Sequence, residues 1–224
     1  ANGNFQKCLS LLSSEYCLVM GADDILDPNF IEVIKGAILK YPDAVMIHPG
    51  VKIVDENNNE ISTRSDRIKA KIRNTHESSQ ELFGEPLATS LMNGNWMYFP
   101  AITWQTKIIQ DIGFRPGFNV CQDLGLAMDV IMQGGKMVLI NDEIFRYRRH
   151  TASDSTVKAV NGERFIDESN FFKVMSTDLK TLGWTRAARA ARLHFTSRLH
   201  AASLIPVSIS IGKNPWGLIK HFLT

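Results

Sequence analysis

The chain has 224 residues, 44% of them apolar, enough for one folded domain with a sizeable core and a small appendage. A net charge of +2 at pH 7 argues against nucleic acid as a partner. Cys8, Cys17 and Cys121 show no Cys-x-x-Cys spacing. This points to a reduced, cytoplasmic chain without structural zinc, and neither a signal peptide nor an apolar run of roughly 20 residues is visible.

Phe5, Cys8, Leu9 and Leu12 recur at helical spacing and predict a helix over 4–13, with Asn2 and Asn4 before it as N-caps. Tyr16 to Met20 reads as a buried strand, followed by Gly21-Ala22 and then Asp23-Asp24. Asp27 and Pro28 read as N-cap and first turn of a helix carrying Phe30, Ile34, Ala37, Ile38 and Tyr41, which Pro42 ends. The acid pair thus falls at the C-terminal end of a strand, the edge where open α/β sheets bind ligands. Adjacent carboxylates are hard ligands suited to Mg²⁺ or Mn²⁺ and so to a substrate phosphate. Turn formation and capping account for such acids equally well.

Ala44 to His48 and Val51 to Val54 are two β-rich runs parted by Pro49-Gly50, with His48 a structural strand residue. Residues 62–80 are polar, with five basic residues from Arg64 to Arg73. They read as a solvated, mobile loop, or else as a flexible element near a diphosphate or a charged acceptor. Residues 81–93 read as a helix, and Tyr98 to Trp104 as a strand interrupted at Pro100. Trp96 and Trp104 suit core packing or stacking on a sugar.

Leu124, Ala127, Met128 and Ile131 form an apolar stripe that places Asp123 at a helix N-terminus. Capping explains an Asp there, and so does a carboxylate kept ionised to accept a proton. Val138 to Ile140 is a further strand, followed by a basic run from Arg146 to His150. From Asn161 the pattern is helical, with Arg186, Arg189, Arg192 and Arg198 spread around the helix rather than on one face. The tail from Asn214 to Leu223 mixes basic and apolar residues in a way that suits an anionic membrane surface.

Several of these stretches, in this order, resemble the motifs of family 2 glycosyltransferases. They are Asn2-Gly3-Asn4, Ser14-Glu15-Tyr16, Gly21-Ala22-Asp23-Asp24, Ile25-Leu26-Asp27-Pro28, Ile112 to Phe118, Gln122-Asp123-Leu124, and Ile144 to Ser155. The chain departs from the pattern at Ser14, where Gly is common, at Gly21, where Asp is common, and at Gln122, where Glu is common. The resemblance covers roughly residues 1–156. It implies an α/β GT-A fold, a Rossmann-like mixed sheet flanked by helices. On that reading 1–156 is the C-terminal portion of the catalytic domain, the sugar-nucleotide-recognising half lies upstream, and 157–224 is a helical appendage.

The activity implied is inverting transfer of a sugar from a nucleotide-diphosphate donor to a hydroxyl of a sugar or lipid-linked sugar acceptor. The implied setting is bacterial surface polysaccharide or glycolipid synthesis, in the cytoplasm or at the inner face of the plasma membrane. Asp24 would ligate Mg²⁺ or Mn²⁺, and Asp23 would contact the donor ribose or share the metal. His150 would reach the metal or a phosphate. Asn4, Arg148 and Arg149 would bind the donor, Asp123 would be the catalytic base, and Trp96 and Gln122 would meet the acceptor. The alternative is a GT-A-derived binding module, or an inactive fragment, without catalysis.

Overall fold

The computed structural model describes residues 2–73, 79–118, 120–149 and 163–223. Helix α1 (Asn2–Ser10) leads into β1 (Tyr16–Leu18), β2 (Ile25–Leu26), α2 (Phe30–Lys40) and β3 (Ala44–Val54). Next come α3 (Arg64–Arg73), β4 (Ser79–Leu82), α4 (Gly84–Asn93), a 3₁₀ turn (Phe99–Ala101), β5 (Thr103–Gln105) and α5 (Thr106–Ile112). The chain continues through α6 (Gln122–Met132) and β6 (Lys136–Arg148). It then runs through α7 (Glu163–Thr181), α8 (Thr185–Leu193), α9 (Phe195–Ser210) and α10 (Trp216–Leu223).

The fold is α/β: a six-stranded mixed sheet, ordered β1-β5-β3-β6-β2, flanked by helices. Strands β3 and β6 pair in parallel from Ala44↔Lys136 to Val54↔Arg148, and the other pairings are antiparallel. The outer edge of β6 is shared: β4 covers its first half and β2 its second. At the break between them Gly50 lies against β6, where a Cβ would stand 2.6 Å from the Asn141 carbonyl oxygen.

Alternation along the strands divides the core into two faces. Met46, Trp104, Met137 and Leu139 face a large cluster with α4 and α6, whereas Ile47, Val138, Ile140 and Phe145 face α2. The C-terminal helices do not form a separate layer. Phe171 and Met175 of α7 and Ala187 and Ala191 of α8 lie in the same cluster as Leu91 and Leu126. The buried alanines of α8 let it approach closely, and Glu85 of α4 caps it by accepting the Arg186 backbone N–H at 2.6 Å. Arg115 ties α6 to α7 through Asp129 and Asp178. Helices α9 and α10 form a smaller cluster around Phe165, Ala201 and Leu218.

Expectations change in several places: residues 81–93 divide between β4 and α4, and α1 contains Asn2 and Asn4 instead of following them. The runs parted by Pro49-Gly50 are one strand, β3, whose register shifts at Gly50. Tyr98 to Trp104 forms a 3₁₀ turn and a short strand. Helix α2 starts after Asn29, because Asp27 is drawn instead to Arg146, whose Nε donates to its Oδ1 at 2.7 Å. Residues 64–73 are helical rather than a loop. A reciprocal box starts α3: Thr63 Oγ1 accepts the Asp66 N–H, and the Asp66 carboxylate accepts the Thr63 N–H, both at 3.3 Å.

If α7 shares the sheet's core, Phe171→Ala costs about 3–5 kcal/mol and leaves one cooperative transition. Thermal melts followed by circular dichroism and by tryptophan fluorescence should coincide; two separated transitions would show an independent helical unit.

Candidate active site

The candidate site gathers where β1 ends and β6 ends. After Leu18 the chain turns through Gly21, and the Asp24 N–H donates to the Gly21 carbonyl at 3.4 Å. A Cβ on Gly21 would stand 2.6 Å from Asp24 Oδ2 and 3.0 Å from Asp23 Oδ1. Both carboxylates therefore converge on the face of residue 21 that bears no side chain.

The end of β6 holds this turn in three places. The Arg148 backbone N–H donates to Asp24 Oδ1 at 3.0 Å, Arg148 Nε donates to the Asp23 carbonyl at 2.9 Å, and the Asp27 N–H donates to the Ile144 carbonyl at 3.0 Å. Asp24 is buried and Asp23 is exposed. Burial pushes the Asp24 carboxyl above its usual range, the Arg148 N–H pulls it back, and the charge of Asp23 adds to the rise.

Asp123 is the second residue of α6, half-buried, and Asn95 donates to its Oδ2 at 3.5 Å. Burial raises the Tyr147 phenol, Arg149 opposes the rise, and Asp24, Asp23 and Asp123 all add to it. The Tyr147 ring packs at 5.3 Å against Tyr98.

Sequence reasoning missed Lys69 and Asp66 of α3. The Lys69 ammonium lies 4.2 Å from the centre of the Tyr98 ring and donates to the Met97 carbonyl at 2.9 Å. Burial brings it down to about 8, while Asp123 and Asp66 work to raise it. Asp66 is buried and bound by Arg149, Tyr98 and Thr63. Burial works to raise its carboxyl, but those hydrogen bonds outweigh it and hold the group below its usual range. The Thr63-x-x-Asp66 spacing was the signal that would have placed both residues on a helix.

The remaining expected residues are distributed as follows. Asn4 lies inside α1 and is exposed. His150 lies outside the described residues. Arg148 engages its guanidinium with the carbonyls of Asp23, Asp55 and Glu56 and with Asn58 Oδ1, and Arg149 pairs with Asp66. Both are ties within the protein rather than open anion sites. Gln122 turns its amide back onto the Phe118 carbonyl at 2.9 Å. Trp96 is 1% exposed and its indole N–H donates to Ser90, so it offers no face to an acceptor; it is a core residue. His48 is structural: burial brings it down to about 3, its Nδ1 bonds the Pro49 carbonyl, and its Nε2 accepts the Tyr98 N–H.

No family model and no curated protein matches the chain. Solved structures that resemble it include TarS 1–349 from S. aureus, at 11% identity and a TM-score of 0.48, over 99% of this chain and 68% of that one. The same TarS segment in complex with UDP gives 12% identity and a TM-score of 0.49, over 97% and 67% of the two chains. A longer TarS structure gives 11% and 0.46, over 93% of this chain and 36% of that one.

Among the described residues no group of three or more His, Cys, Asp or Glu side chains is placed to hold a metal. The pair at Gly21 is still suited to a hard cation. Asp24 Oδ1 accepts the Arg148 N–H, while Oδ2 turns toward the same point as Asp23 Oδ1. A site of two carboxylates, with the remaining ligands from water and substrate phosphate, is a common Mg²⁺ arrangement.

Asp24 and Asp66 have opposite linkage signs. The folded-state carboxyl of Asp24 is raised, so its favourable contribution is full below the unfolded value and is lost as pH rises through the folded one. Asp66 is lowered, so its contribution is present above the unfolded value and is lost as pH falls through the folded one. At pH 7, Asp24→Asn should raise the melting temperature, whereas Asp66→Ala should cost about 3–5 kcal/mol by stranding Arg149. Melting curves of the two variants from pH 3 to 8, roughly the range over which carboxyl groups titrate in proteins, test both signs.

Proposed function

We propose that the chain is an inverting glycosyltransferase that moves a sugar from a nucleotide-diphosphate donor to an acceptor hydroxyl. The observation that carries this reading is the convergence of Asp24 Oδ2 and Asp23 Oδ1 beside Gly21. The ordered motifs of the sequence support it, as do the positions of both acid sets at ends of regular elements.

In this reading Asp24 and Asp23 would hold Mg²⁺ or Mn²⁺, with His150 from the segment after β6 adding a ligand. When bound, the ion would supply positive charge to the leaving diphosphate. Asp123 takes the proton of the acceptor hydroxyl as the new bond forms. Asn95 donates to its carboxylate from the segment after α4. Lys69 lies over the Tyr98 ring and donates to the Met97 carbonyl. Tyr147 and Tyr98 form an aromatic wall against which a sugar ring packs. The setting is surface polysaccharide or glycolipid synthesis, with the site in the cytoplasm.

One observation favours the alternative of a GT-A-derived binding module. Arg148 and Arg149, which a diphosphate would need, are both engaged by protein acceptors.

Calorimetric titration with UDP, GDP and dTDP, with and without Mn²⁺, separates the two readings. It is run on this chain and on a version extended upstream. Metal-enhanced binding that Asp24→Asn removes supports the transferase; binding to neither form by folded protein supports the module. In the transferase, Asp123→Asn lowers turnover by about 10²–10⁴-fold, as expected for loss of a general base, without changing donor affinity.

A further inference from the structure

The charge of the chain is unevenly divided. From Thr181 to Thr224 it carries Arg186, Arg189, Arg192, Arg198, Lys213 and Lys220 and no Asp or Glu. The net +2 therefore consists of +6 in these 44 residues and −4 over the rest, since all 23 acids precede them.

The same region exposes apolar side chains in an ordered way. Along α9, Phe195, Leu199, Ala202, Pro206 and Ile209 follow one another in steps of four and three, which sets them on one face. The opposite face, with Ala201 and Ser208, is buried. Phe195 is 60% exposed and Ile209 59%. On α10, Trp216, Lys220 and Leu223 share the outer face, with Trp216 67% exposed, while Leu218 and His221 turn inward. Exposed Ile211 and Lys213 lie in the turn between the two helices. Among the described residues no helix is long and apolar enough to cross a membrane.

We infer that the α9–α10 hairpin docks the protein on an anionic lipid surface, with its outer apolar side chains in the interfacial layer and its lysines at the headgroups. The chemistry matches that surface in both respects. Tryptophan and aliphatic side chains enter the headgroup boundary, and each nearby lysine or arginine gains from anionic lipid. A second copy of the same face fits badly, because a symmetric pairing would set lysine against lysine.

The hairpin also lies close to Asp123. Thr196, next to Phe195, donates its hydroxyl to the Asn93 carbonyl at 2.7 Å, two residues before Asn95, which contacts Asp123. Docking would therefore bring the catalytic base near the lipid surface, where a lipid-linked acceptor hydroxyl is presented. This consequence rests on the glycosyltransferase reading; the docking itself does not.

The test uses the full chain and vesicles of phosphatidylcholine, alone or with about a third phosphatidylglycerol, with no donor present. Trp96 and Trp104 are buried and Trp184 is half-buried, so a blue shift of the emission reports chiefly Trp216 entering the lipid. The expected result is co-sedimentation with the anionic vesicles and a blue shift, both weakened by salt. Lys213→Gln should weaken binding about fivefold, and Ile209→Ser with Trp216→Ser by about tenfold or more. These positions are exposed, and circular dichroism confirms that the variants fold. Absence of vesicle binding, or variants that bind as tightly as the parent, would overturn the inference. So would a concentration-dependent dimer lost in the same variants, which would assign the face to a second copy. Vesicle binding without nucleotide binding would leave the docking standing and remove the transferase reading.

Discussion

The far end of the parallel β3–β6 pair is the constraint on which the site depends. Where Val54 pairs with Arg148, the Arg148 N–H points away from β3 and reaches the Asp24 carboxylate. A hydrogen bond to an ionised group contributes about 1.5–3 kcal/mol, more than a neutral one. The Arg148 guanidinium extends the same hold to the Asp23 carbonyl and to the turn after β3. Parallel pairing requires a long crossover. The crossover here, α3 through α6, carries Asp66, which pairs with Arg149, and Tyr98, which packs on Tyr147, together with Lys69 and Asp123. Apart from Asp66 and Lys69, which share α3, these residues are far apart in sequence.

That dependence explains what the sequence could and could not disclose. Local periodicity was enough for α2 and α6, and so for placing Asp123 at a helix N-terminus. Pro49-Gly50 misled because those residues are turn punctuation in isolation. In the fold Gly50 is needed for the close approach of β3 to the Asn141 carbonyl, an event set by β6 and invisible near residue 50. The polar stretch 64–73 read as a loop for a related reason. Its apolar content is too low for a periodic stripe, and its burial comes from Asp66 and Lys69 meeting partners far along the chain. The Thr63–Asp66 box was a local signal strong enough to be read.

The arginines after β6 show a different limit. Residue type indicated that Arg148 and Arg149 suit anions, and they do bind acceptors, but the acceptors belong to the protein. Asp66 is the anion for Arg149, and backbone carbonyls serve Arg148. Composition gives the chemistry of a side chain without naming its partner. The C-terminal helices are the same case in apolar form. Their arginines suggested a helix with no clear face, while the alanines between them, Ala187, Ala188, Ala190 and Ala191, carried the packing against α4 and α7.

The matching of cations at the end of β6 also bears on how a donor would bind. Arg146 is held by Asp27, Arg148 by carbonyls, and Arg149 by Asp66. A diphosphate arriving at the Gly21 turn would therefore meet carboxylates before it met an uncommitted arginine. Like charges at close range in a partly buried cleft repel by several kcal/mol. Burial already works against the ionised form of Asp24. A divalent cation between Asp23 and Asp24 would relieve both penalties at once, compensating the buried carboxylate and reversing the local sign for the phosphates. Donor binding by this constellation should thus be conditional on the ion, with the arginines acting through the shape of the turn they hold rather than through their charge.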